Sequence, residues 1–386
     1  MKKSFAYYAK LKIWCKGTNN FSIMQDKFAY LQKKHYLCSQ NRSIRMIVTA
    51  DWRSSLASLL SRFDREQVVA VVDSSLADQV SDLGCAQVVI DANEANKSLT
   101  TVQMIWDALF ANTVTRKGVL IGIGGGIVTD LTGFAAGTYK RGIAYINVPT
   151  TLLAMIDAST GGKTGCNYHG IKNSIGLFYP PIETIICPQW LRSLPAQQFL
   201  SGWAEMLKTG LIDETGTLWR QLMGFDIEDY DPNDARLTEL ITDCLAVKER
   251  IVASDPTESG MRKVLNLGHS FGHALEEASF DKTPPMYHGY AVLYGLIAEL
   301  YLSVTLLGCP TEPLQQLTQF MLHCYGRPQC NCSDRSRLVQ LMYQDKKNEH
   351  ADEINCTLLR GIGQPLINQR ITAAQAEEAW EYLFSI

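Results

Sequence analysis

The chain has 386 residues, of which 46% are hydrophobic and 19% are charged, the composition of an ordinary soluble globular protein. The length is sufficient for two domains of roughly 100–200 residues each. No apolar run approaches the ~20 residues that cross a bilayer, and the N-terminus lacks the apolar core and cleavage site of a secretory signal. We therefore expect a cytoplasmic protein that has no membrane partner.

Basic residues are concentrated at the N-terminus. Residues 1–45 carry ten Lys or Arg against one acidic residue, Asp26, whereas the remainder of the chain has a net charge of −12. Because such an acidic body binds nucleic acid poorly, no nucleic-acid partner is expected. Residues 1–45 are predicted to be a poorly ordered basic extension with Met46 as the natural start, although a tail that touches nucleic acid or membrane is an alternative.

Eleven cysteines are scattered along the chain. Their odd number, in a long chain without an export signal, predicts reduced thiols in a cytosol. One local cluster contains His323, Cys324, Cys330 and Cys332. Its spacing fits no standard zinc pattern, so thiols without a metal are favoured over a small zinc site.

Short apolar strands alternate with helices after Val68. The pattern predicts strands at Val68–Val72, Val88–Ile90, Val119–Ile121 and Ala144–Val148, and helices at Leu99–Leu109 and from the following glycine run to Thr138. Such alternation indicates parallel strand pairing. We therefore predict an α/β fold in which residues 46–187 form a Rossmann-like, doubly wound parallel sheet.

Longer helical patterns dominate after about Pro188. They predict helices at Gln198–Leu211, Arg236–Ala253, Leu265–Ala278 and Ala291–Leu307. Residues 188–386 are therefore predicted to form a mainly α-helical C-terminal domain. A cleft between the two domains is the natural place for a ligand.

A glycine run follows the predicted strand at Val119. Gly122, Gly124, Gly125 and Gly126 lead into a helix, so backbone N–H groups and a helix N-terminus can face an anion such as a pyrophosphate. Ile127 stands where the GxGxxG fingerprint has its third glycine. A glycine-rich turn that serves packing alone is the alternative.

Several residues with metal-binding side chains lie in the helical half. His269 and His273 are four residues apart on one predicted helical face, His288 follows a Pro-rich turn, and Glu205 lies on the first long helix. Two imidazoles and one carboxylate make a three-ligand site with an open position, as in a catalytic zinc centre. A histidine pair of this spacing often forms only hydrogen bonds, and the spacing does not say which histidines would bind.

A third pattern is rich in hydrogen-bond donors. Residues 161–167 (GGKTGCN), followed by Lys172 and Asn173, are predicted to form a loop. Clustered Lys, Asn and glycine N–H groups suit a phosphate or a carboxylate. A solvated turn is the alternative.

Taken together, these motifs resemble the 3-dehydroquinate synthase family. The resemblance covers roughly residues 68–365, and its segments occur in the family's order. They are the glycine run, VPTTLLA at 148–154, GGKTG at 161–165, GWAE at 202–205, LNLGHSFGHA at 265–274, YHGYAV at 287–292, DKK at 345–347 and LLRGIG at 358–363.

The resemblance implies a role for each matching residue. Glu205, His269 and His288 would ligate one zinc or cobalt ion per chain, which makes the helical half a metal-binding domain. The implied NAD contacts are Asp73, Glu94, Lys97, Gly124, Gly125, Gly126, Asp130, Thr150, Thr151, Lys163 and Lys172. The implied substrate-binding residues are Arg141, Lys163, Asn173, Arg262 and Lys347. The implied catalytic residues are His273, Lys208, Asp157, Lys163, Lys248 and Asn266.

The resemblance also implies the reaction. The substrate would be 3-deoxy-arabino-heptulosonate 7-phosphate, which becomes 3-dehydroquinate and phosphate by transient oxidation with NAD, phosphate elimination, reduction and intramolecular aldol closure. This is a step of the shikimate pathway towards aromatic amino acids. His273 would lie near the leaving phosphate. Lys163, Asn173 and Lys347 would hold the phosphate, Arg262 would grip the carboxylate, and Arg141 would reach the neighbouring site of a homodimer.

One residue departs from the family pattern: Tyr290 stands where a Glu usually follows the His-Gly pair. Its effect on the surroundings of the metal is open. Alternatives are another sugar phosphate cyclase, against which Arg262 argues, a glycerol-type dehydrogenase, which would lack the phosphate-binding lysines, and a catalytically inactive binding protein.

Overall fold

A parallel sheet forms the first half of the computed structural model, which describes residues 45–280, 282, 284–329, 334–345, 348 and 353–386. The predicted basic extension up to residue 44 and the predicted phosphate ligand Lys347 lie outside the described residues, as do Cys330 and Cys332. The strands of the first half are β1 (Met46–Val48), β2 (Val68–Asp73), β3 (Ala86–Ile90), β4 (Val119–Gly124), β5 (Ala144–Pro149), β6 (Lys163–Tyr168), β7 (Ile171–Phe178) and β8 (Glu183–Ile186).

Six of these strands pair in parallel in the order β1-β8-β5-β4-β2-β3. Alternate residues of β2 face opposite sides: Val68, Ala70 and Val72 belong to one core cluster, and Val69 and Val71 belong to the other. A sheet covered on both faces requires apolar side chains in both directions, which explains the continuous apolar runs of its strands. The predicted α/β fold is confirmed.

The strand order reverses between β2 and β4. From β2 the chain continues to β3 on one side of the sheet, and it then returns to β4 and β5 on the other side. Ligands of open α/β sheets bind at the carboxyl ends of the strands where the order reverses. Asp73 and Gly124 are the last residues of the two strands that flank this point.

Among the described residues, three helices accompany the sheet: α1 (Trp52–Leu60), α2 (Leu99–Ala111) and α3 (Gly126–Thr138). The N-termini of α1 and α2 are capped by the side chains of Asp51 and Ser98. Helix α3 begins at Gly126, the last glycine of the run, as predicted.

Strands β6 and β7 form an antiparallel hairpin over residues 163–178, where a donor-rich loop was predicted. The loop prediction is therefore wrong. His169 and Gly170 connect the strands and have φ values of +49° and +77°. Two residues of positive φ match the right-handed twist of a hairpin. Histidine in the first of these positions is not a usual hairpin signal, so the turn was missed.

The second half is mainly helical. Its helices are α4 (Ala196–Ile212), α5 (Thr217–Met223), α6 (Ala235–Ser254), α7 (His269–Ala278), α8 (His288–Leu307), α9 (Glu312–Cys324), α10 (Arg335–Tyr343) and α11 (Ala373–Ser385), and β9 (Ile354–Leu359) pairs with β10 (Pro365–Ile371). The predicted helix at Leu265–Ala278 is wrong in its first four residues. A 3₁₀ helix occupies Met261–Asn266, and Gly268, with φ of +80°, separates it from α7.

Helix α8 is long and apolar enough to cross a membrane by length and hydropathy alone, which was not anticipated from the sequence. However, 67% of its apolar window is buried inside the protein, as in the core helix of a globular protein. One core cluster contains residues of the sheet and of α4, α8 and α11, and the chain after Ile44 packs as one compact unit. The predicted domain boundary at residues 187/188 therefore falls within this unit and stays a prediction.

Candidate active site

Three side chains from three helices converge in the helical half. Glu205 lies on α4, His269 is the first residue of α7, and His288 is the first residue of α8. Oε1 of Glu205 is 3.6 Å from Nε2 of His269 and 3.4 Å from Nε2 of His288. Because these ligand atoms all lie within 4.8 Å of one another, the three residues could hold a metal ion together.

Glycines allow the three helices to approach this closely. A Cβ atom on Gly289, next to His288, would lie 1.9 Å from the carbonyl oxygen of Ser201 on α4. A Cβ atom on Gly295 would lie equally close to the carbonyl oxygen of Gly268, next to His269. Helix α8 therefore packs backbone to backbone against the segments that carry the other two side chains.

Each histidine is oriented by a partner at its Nδ1 atom. Nδ1 of His269 is 3.1 Å from the carbonyl oxygen of Leu267, and Nδ1 of His288 is 3.1 Å from Oε2 of Glu276. Such partners fix the ring orientation and turn Nε2 towards a metal. Tyr290 does not provide this contact, because its ring packs edge-on against Tyr325 with 4.8 Å between ring centres. The carboxylate next to His288 comes from Glu276 instead.

The charges around Glu205 keep its side chain anionic, as a metal ligand must be. Burial raises the pKa of Glu205, but the Lys208 ammonium and His288 outweigh burial and lower it to about 2. Burial lowers the pKa of His288, yet the carboxylates of Glu276 and Glu205 raise it to about 10. Lys208 forms an ion pair with Glu205, whose side chain is buried. Two imidazole nitrogens around this carboxylate are a donor set that fits zinc.

His273 lies beside the three residues. Its ring centre is 5.4 Å from that of His269, and its Nδ1 atom is 3.0 Å from Oδ2 of Asp345. His273 is not a member of the ligand group. The resemblance implied this division between the histidines, whereas the spacing alone had left it open. A role of His273 near the leaving phosphate stays a prediction.

Two further predicted catalytic residues meet at the end of the sheet. Asp157 lies on a π-helical turn, Ala154–Ala158, and forms an ion pair with Lys248 of α6, whose Nζ also donates to the Asp157 carbonyl oxygen at 2.6 Å. Burial raises the pKa of Asp157, but Lys248 and Lys208 together lower it to about 2. Asp157 is thus an anion that balances two lysines.

Lys163 and Asn266 are bridged by a residue that was not predicted. Glu258 forms an ion pair with Lys163, and its Oε1 atom accepts a hydrogen bond from Nδ2 of Asn266 at 3.3 Å. Glu258 has a φ of +60°, a strained conformation for a residue with a side chain. Burial lowers the pKa of Lys163, and Glu258 opposes that effect.

Arg262 is buried, with only 2% of its surface exposed. Its Nη1 atom donates to the carbonyl oxygen of Pro256 at 2.8 Å, and its Nη2 atom donates to that of Gly161 at 3.1 Å. The guanidinium therefore ties the turn that carries Glu258 to the start of the β6–β7 hairpin. Its predicted grip on a substrate carboxylate stays a prediction.

The predicted cofactor residues of the sheet lie at its carboxyl edge. Gly124 ends β4, Gly125 caps α3, and Gly126 begins it. Cβ atoms on Gly125 and Gly126 would lie 3.2 Å from the side chain of Thr151 and 3.1 Å from that of Ala158, so the turn has little room for side chains. Two other predicted residues lie at this edge. Oδ1 of Asp73 accepts a hydrogen bond from the backbone N–H of Ser75, and the N–H of Thr150 donates to the carbonyl oxygen of Gly124.

Lys97 connects this edge to the hairpin. Its Nζ atom is 2.5 Å from Oδ2 of Asp130 on α3 and 2.6 Å from Oδ1 of Asn173 on β7. Burial raises the pKa of Asp130, and Lys97 opposes that effect. Glu94 accepts a hydrogen bond from Nδ2 of Asn167 at 2.7 Å. These contacts involve five residues that the sequence separates by up to 79 positions.

Lys172 and Arg141 complete the predicted set. Nζ of Lys172 is 2.8 Å from Oε1 of Glu276 and 3.9 Å from Oε1 of Glu94. Arg141 is exposed and follows the C-terminal end of α3. Because α3 has 13 residues, Arg141 lies roughly 20 Å from the glycine turn at the other end of the helix. Within the part of the chain that the structure describes, Arg141 is not brought to the other predicted residues.

Glu258, Glu276 and Asp345 are the site residues that sequence reasoning left without a role. Glu276 follows His269 by seven positions and His273 by three, so helical spacing could have placed it on the same face. Asp345 belongs to the quoted DKK motif, where only Lys347 had received a role. No periodic signal marks Glu258, because it lies in an irregular turn.

Comparisons with known proteins agree with this architecture. The family model described as 3-dehydroquinate synthase N-terminal matches residues 87–201, and the model described as 3-dehydroquinate synthase C-terminal matches residues 202–348. The chain is 40% identical to a 3-dehydroquinate synthase of Parabacteroides distasonis over 346 residues, which cover 88% of this chain and 97% of that protein. It is 38% identical to one of Pyrococcus furiosus over 303 residues, covering 76% and 86% of the two chains.

Solved structures show the same fold. A 2-epi-5-epi-valiolone synthase from Streptomyces hygroscopicus, with NAD⁺ and Zn²⁺ bound, superposes with a TM-score of 0.76 at 26% identity, covering 88% of this chain and 96% of the other. A 2-deoxy-scyllo-inosose synthase complexed with carbaglucose-6-phosphate, NAD⁺ and Co²⁺ superposes with a TM-score of 0.74 at 23% identity, covering 86% and 95%. Family models that match residues 87–348, and curated relatives that are 38–40% identical over at least three quarters of the chain, show that the chain belongs to the 3-dehydroquinate synthase family.

Proposed function

We propose that this chain converts 3-deoxy-arabino-heptulosonate 7-phosphate to 3-dehydroquinate and phosphate in the cytoplasm, with NAD and one zinc or cobalt ion. The observation that carries the proposal is the convergence of Glu205, His269 and His288 beside a group of lysines and a glycine turn at the sheet edge. The names of the curated relatives support the same reaction.

Glu205, His269 and His288 would hold the metal ion. When bound, it would supply a Lewis acid that makes a substrate hydroxyl easier to oxidise. The chain's own contribution is to orient both Nε2 atoms through Leu267 and Glu276. Lys208 adds positive charge next to Glu205, which favours the anionic forms of an oxygen-rich substrate in a site of low dielectric.

NAD would lie across the carboxyl edge of the sheet, where its pyrophosphate would face the N-terminus of α3. It would supply the hydride acceptor and later return the hydride. Asp73 ends β2 next to β4 and suits contact with a ribose hydroxyl. Lys97, Asp130 and Asn173 would order the hairpin over the cofactor.

The phosphorylated substrate would lie between Lys163, Asn266 and the pair of Asp157 and Lys248. Because an anionic Glu258 occupies the Lys163 ammonium, a substrate phosphate would have to displace that carboxylate. His273, held through Nδ1 by Asp345, would move a proton at the leaving phosphate. Each of these groups is polar and positioned by a hydrogen bond or ion pair of the described residues.

Arg141 is proposed to act in the neighbouring subunit of a homodimer. Its position beyond the far end of α3 supports this proposal. Exposed apolar side chains on the hairpin, Tyr168, Ile171, Leu177 and Phe178, offer a surface for a second copy.

If Arg141→Ala and Lys163→Ala are both inactive, their equal mixture should regain about a quarter of wild-type activity, because half of the dimers then contain one complete site. A mixture without activity would contradict the role in trans.

The reaction itself is tested by mixing the purified chain with the heptulosonate phosphate, NAD and zinc while free phosphate and NADH absorbance are recorded. Phosphate release without net NADH, abolished by a chelator, is the expected result. Steady accumulation of NADH would identify a simple dehydrogenase, and no phosphate release would refute the proposed substrate.

His288→Ala should lose both the metal and the activity, and an unchanged metal content would refute the ligand assignment.

A further inference from the structure

Lys172 and Glu276 connect the nucleotide side of the site to the metal ligands. Lys172 is the second residue of β7, and its Nζ atom lies 2.8 Å from Oε1 of Glu276 on α7. The other oxygen of Glu276, Oε2, is 3.1 Å from Nδ1 of His288. Nε2 of the same ring faces Glu205 at 3.4 Å. One carboxylate therefore holds both a hairpin lysine and a metal ligand.

The position of Lys172 is defined by several contacts. Its ammonium lies 4.5 Å from the ring centre of Phe280, which follows the C-terminal end of α7. A positive charge at this end of a helix also interacts favourably with the helix dipole. Oε1 of Glu94, 3.9 Å away, provides a second carboxylate on the nucleotide side.

Glu276 cannot exchange its partners freely, because only 8% of its surface is exposed. In a site of low dielectric, a buried carboxylate acts more strongly on one cationic partner when no second cation offsets its charge. If Lys172 moves away, the charge of Glu276 acts on His288 alone. A carboxylate partner makes a ligating imidazole more basic, so the metal would then be bound more tightly.

An anionic dinucleotide would attract Lys172. The neighbouring residue, Asn173, contacts Lys97, which is paired with Asp130 of α3, the helix that begins at the glycine turn. We propose that the Lys172–Glu276 pair couples the two cofactor sites, so that NAD binding tightens metal binding and metal binding tightens NAD binding to the same extent. This inference rests on the proposed function, because it requires NAD at the hairpin and a metal at His288.

The coupling is measured without substrate. The zinc dissociation constant of the full chain is determined by competition with a chromophoric chelator, with and without saturating NAD, and the NAD constant is determined with and without zinc. In the wild type, each ligand should tighten the other by at least about fivefold. Glu276→Gln, which keeps Lys172 and all three metal ligands, should bind zinc about 10–100-fold more weakly and show no coupling.

Two further variants complete the test. Lys172→Met should bind zinc more tightly than the wild type in the absence of NAD, because it reproduces the withdrawal of the ammonium. Lys117→Met removes an exposed lysine before β4 and should couple the ligands as the wild type does.

Three results would overturn the inference while leaving the proposed function intact. They are independent binding of the two ligands in the wild type, coupling of the opposite sign, and full coupling in Glu276→Gln. A wild-type chain that binds no NAD would instead refute the proposed function as well.

Discussion

Replacing Gly289 by alanine tests whether the backbone contact between α8 and α4 fixes the proposed metal ligands. A Cβ atom at this position would lie 1.9 Å from the carbonyl oxygen of Ser201 and 2.5 Å from its carbonyl carbon. Ordinary contact begins at 3.4 Å. Because both neighbours are backbone atoms that cannot rotate away, the two helices must separate by roughly 1.5 Å at this point.

The separation acts directly on two of the three proposed metal ligands. His288 precedes Gly289, and Glu205 lies one helical turn after Ser201. Metal–ligand distances tolerate a change of only about 0.2 Å, so the expected displacement is several times larger than the site accepts. We expect zinc affinity to fall by more than about 100-fold and the free energy of unfolding of the metal-free chain to fall by about 1–3 kcal/mol.

The assay is the zinc dissociation constant by chelator competition, together with denaturant unfolding in the presence of EDTA. Gly361→Ala is the matched control, because the nearest atom to its Cβ would be 3.9 Å away, in the side chain of Gln364. The control should match the wild type in both measurements. Wild-type zinc affinity in Gly289→Ala would refute the reasoning that this contact sets the ligand geometry.

Three further predictions concern charge. In the metal-free chain the pKa of His288 is raised to about 10, so metal binding must displace a proton. Zinc affinity measured between pH 6 and 8 should therefore rise by about tenfold per pH unit. A zinc affinity that does not change with pH would contradict this prediction. Lys97→Met leaves Asp130 without its partner and should lower the free energy of unfolding by roughly 3 kcal/mol. The double variant Lys97→Met/Asp130→Leu should recover most of that loss, and equal stability of Lys97→Met and the wild type in denaturant would refute the pairing. Arg262→Met leaves two backbone carbonyl groups without donors and should lower the free energy of unfolding by about 2 kcal/mol. If Arg262 also holds the substrate, the KM for the substrate should rise. An unchanged KM would confine Arg262 to a structural role.

Four of the six strands of the parallel sheet and most of the long helices could be predicted because their patterns are local; β1 and β8 were not predicted. A strand buried on both faces requires a continuous apolar run, and a helix with one buried face repeats its apolar residues every three to four positions. The boundaries failed where single backbone conformations decide, as at Gly268, which delays the start of α7, and at His169–Gly170, which turn a predicted loop into a hairpin. Positive φ at a histidine leaves no reliable mark in the sequence.

The sequence alone determined the fold class and the types of side chain that can hold a metal, because apolar periodicity and donor chemistry are properties of the residues themselves. Only the tertiary structure decided which of these side chains meet. Glu276 became the partner of His288, Glu258 came to lie between Lys163 and Asn266, and Arg141 was placed beyond the far end of α3. The physical reason is that these contacts depend on how closely helices pack at glycines such as Gly289 and Gly295, and packing between distant segments is not encoded in any local pattern.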